Sequence, residues 1–159
     1  MPIDKDQFRR VLSSFASGVT VVTTVDGEQS PHGLTATAFT SVSLDPPLVL
    51  VCIDKKTETY PHFALAGLFA VNFLALEQRE VSQRFAKHGG DKFSDTAWHR
   101  GALGVPILDD TVGHLECRIV RAHDGGDHTI YVGEIEAGDA GDGPPLLYFR
   151  HAYRRVEDA

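Results

Sequence analysis

Gly33-Leu34-Thr35-Ala36-Thr37-Ala38-Phe39-Thr40-Ser41-Val42-Ser43-Leu44-Asp45-Pro46-Pro47 has the length and β-branched content of a strand. Yet Thr, Ala and Ser fill it where a core strand carries Leu and Ile. Two readings are open. Small side chains let backbone N–H and C=O groups approach a flat ligand, and hydroxyls can bond its polar edge. Alternatively the run is an exposed, Thr-rich edge strand. In either case Asp45-Pro46-Pro47 ends it, because two prolines cannot continue a ladder.

Upstream, Val19–Val25 reads as a buried strand and Asp26-Gly27 as a tight turn, so Gly33–Ser43 returns as a single strand. Before it, Asp4 caps a helix with Phe8, Val11, Leu12 and Phe15 on one face, ending near Gly18. Downstream, the continuously apolar Leu48–Ile53 is a central strand. Pro61 suits the first turn of a helix capped by Thr57 or Thr59 and closed by Gly67. A strand over Leu68–Leu74 follows, then a helix over Glu77–Lys87 with Val81 and Phe85 inward. Asp91–Gly104 reads as irregular, anchored by Trp98. A strand over Val112–Ala122, a polar loop over His123–Asp127 and a strand over His128–Ile135 form a hairpin. Gly138–Gly143 is a flexible turn, and Leu146–Val156 holds a last strand or pair.

These hairpins supply about seven strands with no repeated strand–helix crossover. The expected fold is mainly β, a closed antiparallel barrel with a few short helices, built as one domain over 1–159. No Gly-x-Gly-x-x-Gly follows a strand, which argues against a Rossmann site. With 42% hydrophobic and 23% charged residues, the composition is that of a soluble globular protein. A net charge of -7 leaves no surplus of Lys and Arg for nucleic acid or an anionic membrane. The polar N-terminus is no signal peptide and no apolar run approaches the roughly 20 residues of a span, so a cytoplasmic location is expected.

Lys55-Lys56-Thr57-Glu58-Thr59, between a strand and a helix start, gathers ammonium and hydroxyl groups with free N–H groups. It reads either as a phosphate site or as a capped helix with solvated lysines. Cys52 and Cys117 sit in apolar runs and are expected to be buried thiols. No metal site is expected, because alternation turns Cys117 away from His114 and Glu116.

Taken in order, Gly18–Thr24, Gly33–Val49, Phe69-Ala70-Val71-Asn72, Phe85-Ala86, Asp91-Lys92-Phe93, Gly125-Gly126-Asp127-His128-Thr129 and Leu146-Leu147-Tyr148 resemble the flavin reductase-like family. The resemblance covers nearly the whole chain at the family's spacing. It implies a split β-barrel of the FMN-binding type, usually homodimeric. It also implies hydride transfer from NADH or NADPH to FMN or FAD, and release of the reduced flavin to a separate monooxygenase. NADH is expected over NADPH, since an acidic surface does not attract an extra phosphate. A flavin-binding electron carrier of the same fold with little turnover is the alternative.

Carried onto this sequence, the resemblance lays Thr35, Ala36 and Thr37 along the flavin ring, where backbone N–H groups reach the edge that gains negative charge on reduction. Ser41 is a further polar contact in that stretch. Ile53 and Asp54 fall beside the ribityl chain, and Lys56, Thr57 and Thr59 fall on the phosphate. Thr57 replaces a frequent Ser and keeps its hydroxyl. Lys92 and Phe93 border the flavin. His128, after a glycine-rich turn, is the candidate functional side chain near flavin and nicotinamide, and its expected role is positioning. Arg150-His151-Ala152-Tyr153 stands where the family shows an Arg-Gly-x-Tyr-like stretch, making Arg150 and Tyr153 candidates for holding the nicotinamide cofactor despite the missing glycine.

Overall fold

In the computed structural model, which describes residues 1–159, twelve strands and three α-helices form in the order α1 (Lys5–Leu12), β1 (Ser17–Gly18), β2 (Thr20–Val25), β3 (Pro31–Ala36), β4 (Phe39–Ser43), β5 (Leu48–Asp54), α2 (Tyr60–Ala66), β6 (Leu68–Phe73), α3 (Arg79–Phe85), β7 (Trp98–Arg100), β8 (Pro106–Leu108), β9 (Gly113–Gly125), β10 (His128–Ala140), β11 (Leu147–Phe149) and β12 (Ala152–Arg154). Seven strands make the main sheet, in the order β3-β2-β6-β9-β10-β5-β4, and every pairing is antiparallel.

The expected single strand over Gly33–Ser43 is therefore two strands, at opposite edges of the sheet. Only Thr37 and Ala38 join them, so the sheet must curl until its edges meet, because three Cα–Cα steps span at most about 11 Å. Across the join, Cys52 N–H donates to the Ala38 carbonyl at 3.1 Å. Ladder pairing does not close the ring, and the barrel stays split at this corner.

All of β2 is buried although three of its six residues are threonines, whereas the apolar run of β5 alternates between buried and half-buried residues. Val22 faces the barrel interior with Leu34, Val51, Ile53, Phe69 and Tyr131. Its neighbour Val21 faces a second cluster with Leu74, Phe85, Phe93 and Leu146 under α3. Phe63 of α2 is fully buried, 5.7 Å from the Tyr131 ring and 6.4 Å from Phe69. Burying one such ring stabilises by about 2–3 kcal/mol. Gly133 lets β10 approach the core closely: a Cβ there would lie 2.6 Å from the Phe69 ring and 2.8 Å from the Cys117 Cβ. Gly133→Ala is expected to cost about 2 kcal/mol through overpacking, read as a lower urea midpoint at unchanged slope.

Several boundaries move. The polar loop over His123–Asp127 shrinks to the two-residue tip Gly126-Asp127, because His123, Asp124 and Gly125 pair with Ile130, Thr129 and His128. The expected turn at Gly138 begins later, as β10 runs on through Ala140. Within the stretch read as irregular, β7 pairs with β8, and Trp98 packs its ring 5.6 Å from Phe93. The predicted helix over Glu77–Lys87 is a 3-10 turn at Leu76–Gln78 followed by α3, with Phe85 buried as expected. The first helix stops at Leu12, short of Gly18. Asp4 does cap it, its Oδ1 accepting the Gln7 N–H at 2.8 Å. No helix is long and apolar enough to cross a membrane.

Candidate functional site

The turn between β5 and α2 is built from its own hydrogen bonds. Asp54 Oδ1 accepts the Lys56 N–H at 2.8 Å, and the Asp54 carbonyl accepts both the N–H (3.2 Å) and the hydroxyl (2.8 Å) of Thr57. Thr59 is the N-cap residue, but its hydroxyl makes no capping bond; it donates to the Gly33 carbonyl at 3.2 Å and ties the helix start to β3. Thr57, Thr59 and Thr35 then share a small pocket of about 70 Å³ with Lys87, His88 and Lys92. A contiguous cavity of about 140 Å³, sharing Thr59 and Lys92, extends it past His32 and Phe93.

Lys92 is the electrostatic centre of this pocket. Its Nζ donates to one protein acceptor, the Phe85 carbonyl at 3.3 Å. Burial pushes its ammonium below the ordinary lysine range, with the Glu58 carboxylate opposing that shift. A half-desolvated cation with spare donors is suited to an anion. Lys56 is exposed, its side chain makes no hydrogen bond, and it lines neither cavity; its charge is felt at Asp127.

Lys55 goes elsewhere, contrary to the expectation that both lysines converge. Its Nζ binds the Asp124 carboxylate and the Gly126 carbonyl (2.7 Å), and its N–H donates to the Asp127 carbonyl at 3.0 Å. The ion pair holds the Lys55 ammonium above its usual range. The result is a clamp that fixes the β9–β10 tip against the end of β5, where His128 pairs in register with Asp54. His128 is half-exposed, and its Nδ1 meets Asp127 Oδ1 at 2.6 Å. That hydrogen bond holds the Asp127 carboxyl below the usual carboxylate range.

The three residues expected along the ring, at the end of β3 and in the join after it, face three different places. Thr35 faces the small pocket, its hydroxyl donating to the Ser82 carbonyl at 2.6 Å. Ala36 packs on the barrel core, and its carbonyl accepts the Thr20 hydroxyl at 2.6 Å. Thr37 is exposed and lines a groove of about 640 Å³ with Phe39, Leu50 and Cys52, floored by Leu12 and Phe15. Cys52 is only half-buried, unlike the fully buried Cys117, whose thiol burial raises to about 12. Ser41 is exposed on β4, at the sheet's other edge. Ile53 is fully buried in the core, so it offers backbone rather than side chain. Phe93 is mainly core, edge-on to Phe85 at 5.0 Å, with one border on the 140 Å³ cavity.

Arg150 and Tyr153 do not meet. Arg150 and His151 both take left-handed backbone (φ 50° and 62°) in the turn from β11 to β12, so His151 occupies a conformation that glycine adopts more easily. Arg150 faces α1 beside Arg9 and Arg10. Tyr153 lies on α3, its hydroxyl 2.8 Å from Ser82 Oγ. Ser82, whose carbonyl binds Thr35, therefore joins Tyr153 to the small pocket. Sequence reading passed over Ser82, Lys87 and His88; a Lys-His pair just before Gly89-Gly90 was the available signal.

Residues 12–157 match the model of the flavin reductase like domain. The chain belongs to this family. It is 42% identical to a flavin reductase (NADH) from Kitasatospora aureofaciens, over 96% of this chain and 82% of that protein. It is 43% identical to the reductase component of a 4-nitrophenol 4-monooxygenase/4-nitrocatechol 2-monooxygenase from Rhodococcus opacus, over 94% and 80% of the two chains. Among solved structures it resembles the NADH:FAD oxidoreductase SgcE6 of Streptomyces globisporus, in complex with NAD and FAD fragments, with a TM-score of 0.92, 39% identity, and 97% and 93% of the chains covered.

Proposed function

We propose that this member of the flavin reductase-like family uses NADH to reduce FMN or FAD and passes the reduced flavin to a separate monooxygenase, acting as a single cytoplasmic domain over 1–159. The observation that carries this reading is the convergence of Thr35, Thr57 and Lys92 on one pocket, in a chain more than 40% identical to NADH-dependent reductases.

The residues present fit a phosphorylated flavin. Lys92, with Lys56 and the Thr57 hydroxyl, would hold the phosphate. The end of edge strand β3 and the join after it, Thr35–Thr37, would hold the ring system. Bound there, the flavin supplies a two-electron acceptor for the hydride of NADH. The chain's own contribution is to hold and orient: hydride transfer needs no general base, so His128 and Asp127 serve to position the nicotinamide. NADH oxidation at 340 nm, with and without added FMN, FAD or riboflavin, tests the reading. Oxidation should depend on free flavin and saturate with it; a chain that oxidises NADH with no flavin preparation overturns it.

Homodimerisation belongs to the same proposal. Phe8, Val11 and Leu12 on α1 and Phe15 just after it are 54%, 57%, 53% and 79% exposed, so much of this apolar face is left uncovered by the chain. Light scattering should give twice the chain mass, and Phe8→Asp with Val11→Asp should give a monomer.

A further inference from the structure

Two imidazoles stack between β3 and α2. The His32 ring centroid lies 4.0 Å from that of His62, with 27° between the ring planes. His32 is fixed from the turn before β3. There Asp26 Oδ1 accepts the N–H groups of Glu28 and Ser30, both at 2.9 Å, and Oδ2 meets His32 Nε2 at 3.0 Å. The hydrogen bond to His32 holds the Asp26 carboxyl down at about 2, so it stays ionised across the neutral and mildly acid range. His62, in the first turn of α2, has no such partner: its Nδ1 is buried without a hydrogen bond. One residue along β3 from His32, the Gly33 carbonyl accepts the Thr59 hydroxyl. The Thr59 carbonyl in turn accepts the His62 N–H at 3.1 Å. The stack and the Thr59–Gly33 bond are therefore neighbouring ties between the same two elements. His32 and Thr59 both line the cavity of about 140 Å³ that Lys92 also borders.

We propose that the His32–His62 stack is an acid-sensitive clasp. Neutral, it holds the first turn of α2 on β3 and keeps the adjoining pocket formed; protonated at His62, it opens. A neutral His62 can carry its proton on Nε2 and leave Nδ1 bare, whereas the cation needs an acceptor at both nitrogens. At Nδ1 the fold offers none. Burial, and after it the neighbouring His32, push the His62 pKa below the ordinary histidine range, with Asp26 opposing them. The strands on which α2 packs, β2 and β6, bring no charged residue to it. The other charges nearby, Glu58, Asp91 and Lys92, stand with His32 around the cavity. The unfolded chain takes this proton near pH 6.5, and the folded chain only below that. Stability from the neutral clasp is therefore complete above about pH 6.5 and is lost as the pH falls through the lower, folded value. The inference rests on the reductase reading for its link to flavin; the clasp itself does not.

The test removes the titrating ring and keeps the packing. His62→Phe fills the stack with a ring that takes no proton, and His62→Leu, made beside it, avoids any strain from the larger ring. Urea unfolding of the flavin-free chains at one chain concentration, between about pH 7.5 and 5.5, reads the clasp. Over that range the native unfolding equilibrium constant should rise about tenfold more than that of either variant. FMN titrations read the pocket. Between the same limits the native Kd should rise about fivefold more than the variants'. The second ionisation of the FMN phosphate, near pH 6, is common to all the chains and cancels in the comparison. Equal pH dependence of native and variant chains in urea overturns the clasp. A difference in urea with none in FMN affinity overturns its hold on the pocket. If no form binds FMN at any pH, the flavin reading falls, and the urea comparison still decides the clasp.

Discussion

Lys92→Met is expected to raise the Kd for FMN about thirtyfold while leaving riboflavin within about twofold, because a hydrogen-bonded charge is lost that only the phosphate meets. Lys92 is partly withdrawn from water and has one protein acceptor, so an anion would relieve a cost that the folded chain already carries. The pH dependence has a definite sign. Burial lowers the Lys92 pKa, so the ammonium is lost at lower pH than an ordinary lysine would lose it. FMN affinity in the native chain should therefore fall as the pH rises through that alkaline range and hold steady just below it. In Lys92→Met that alkaline fall should vanish. Fluorescence titrations with FMN and riboflavin across the range measure both effects. Equal weakening for the two flavins would mean that Lys92 supports the pocket's shape and not the phosphate.

The parts of the barrel legible in the sequence are those that local pattern controls. Val19–Val25, Leu48–Ile53 and Leu68–Leu74 are rich in apolar and β-branched residues, and they lie in β2, β5 and β6. Pro61 and Gly67 mark the ends of α2 for reasons internal to the chain. The break at Thr37-Ala38 was not legible, since neither residue is a breaker. It arises because the sheet closes on itself there, a consequence of strand order that no local window contains.

The candidate site divides in the same way. Thr57, Lys56 and Lys92 carried their chemistry openly, but nothing local says that Lys92 faces Thr57; the α3-to-β7 connection brings it back. Lys55 and Lys56 are equivalent as residues, and the register of β5 on β10 gives only Lys55 an ion pair at the hairpin tip while the Lys56 side chain stays exposed without a hydrogen bond. Arg150 and Tyr153 looked like one motif, yet the left-handed turn at Arg150 and His151 points them to different clefts.

His128→Ala should lower kcat/KM for NADH about thirtyfold while flavin Kd moves by less than about tenfold, the split expected of a group that positions the second substrate. This role depends on Asp127. Its carboxyl is held below the usual range by the imidazole, so it stays ionised at neutral pH and accepts the Nδ1 proton. In the tautomer that gives its Nδ1 proton to Asp127, Nε2 is an acceptor, suited to the N–H of a carboxamide such as that of nicotinamide. The Lys55 clamp keeps the tip in place against β5, so the imidazole is presented from a fixed strand end. Asp127→Asn removes the charge that fixes this tautomer but leaves the ring in place. It should give an intermediate loss of about tenfold in kcat/KM, with flavin affinity unchanged within about twofold. Steady-state rates with NADH varied at saturating FMN, beside flavin titrations of each variant, separate the two quantities. If flavin affinity collapses in His128→Ala while turnover at saturating flavin holds, the imidazole belongs to the flavin pocket, and the nicotinamide must be oriented by other groups.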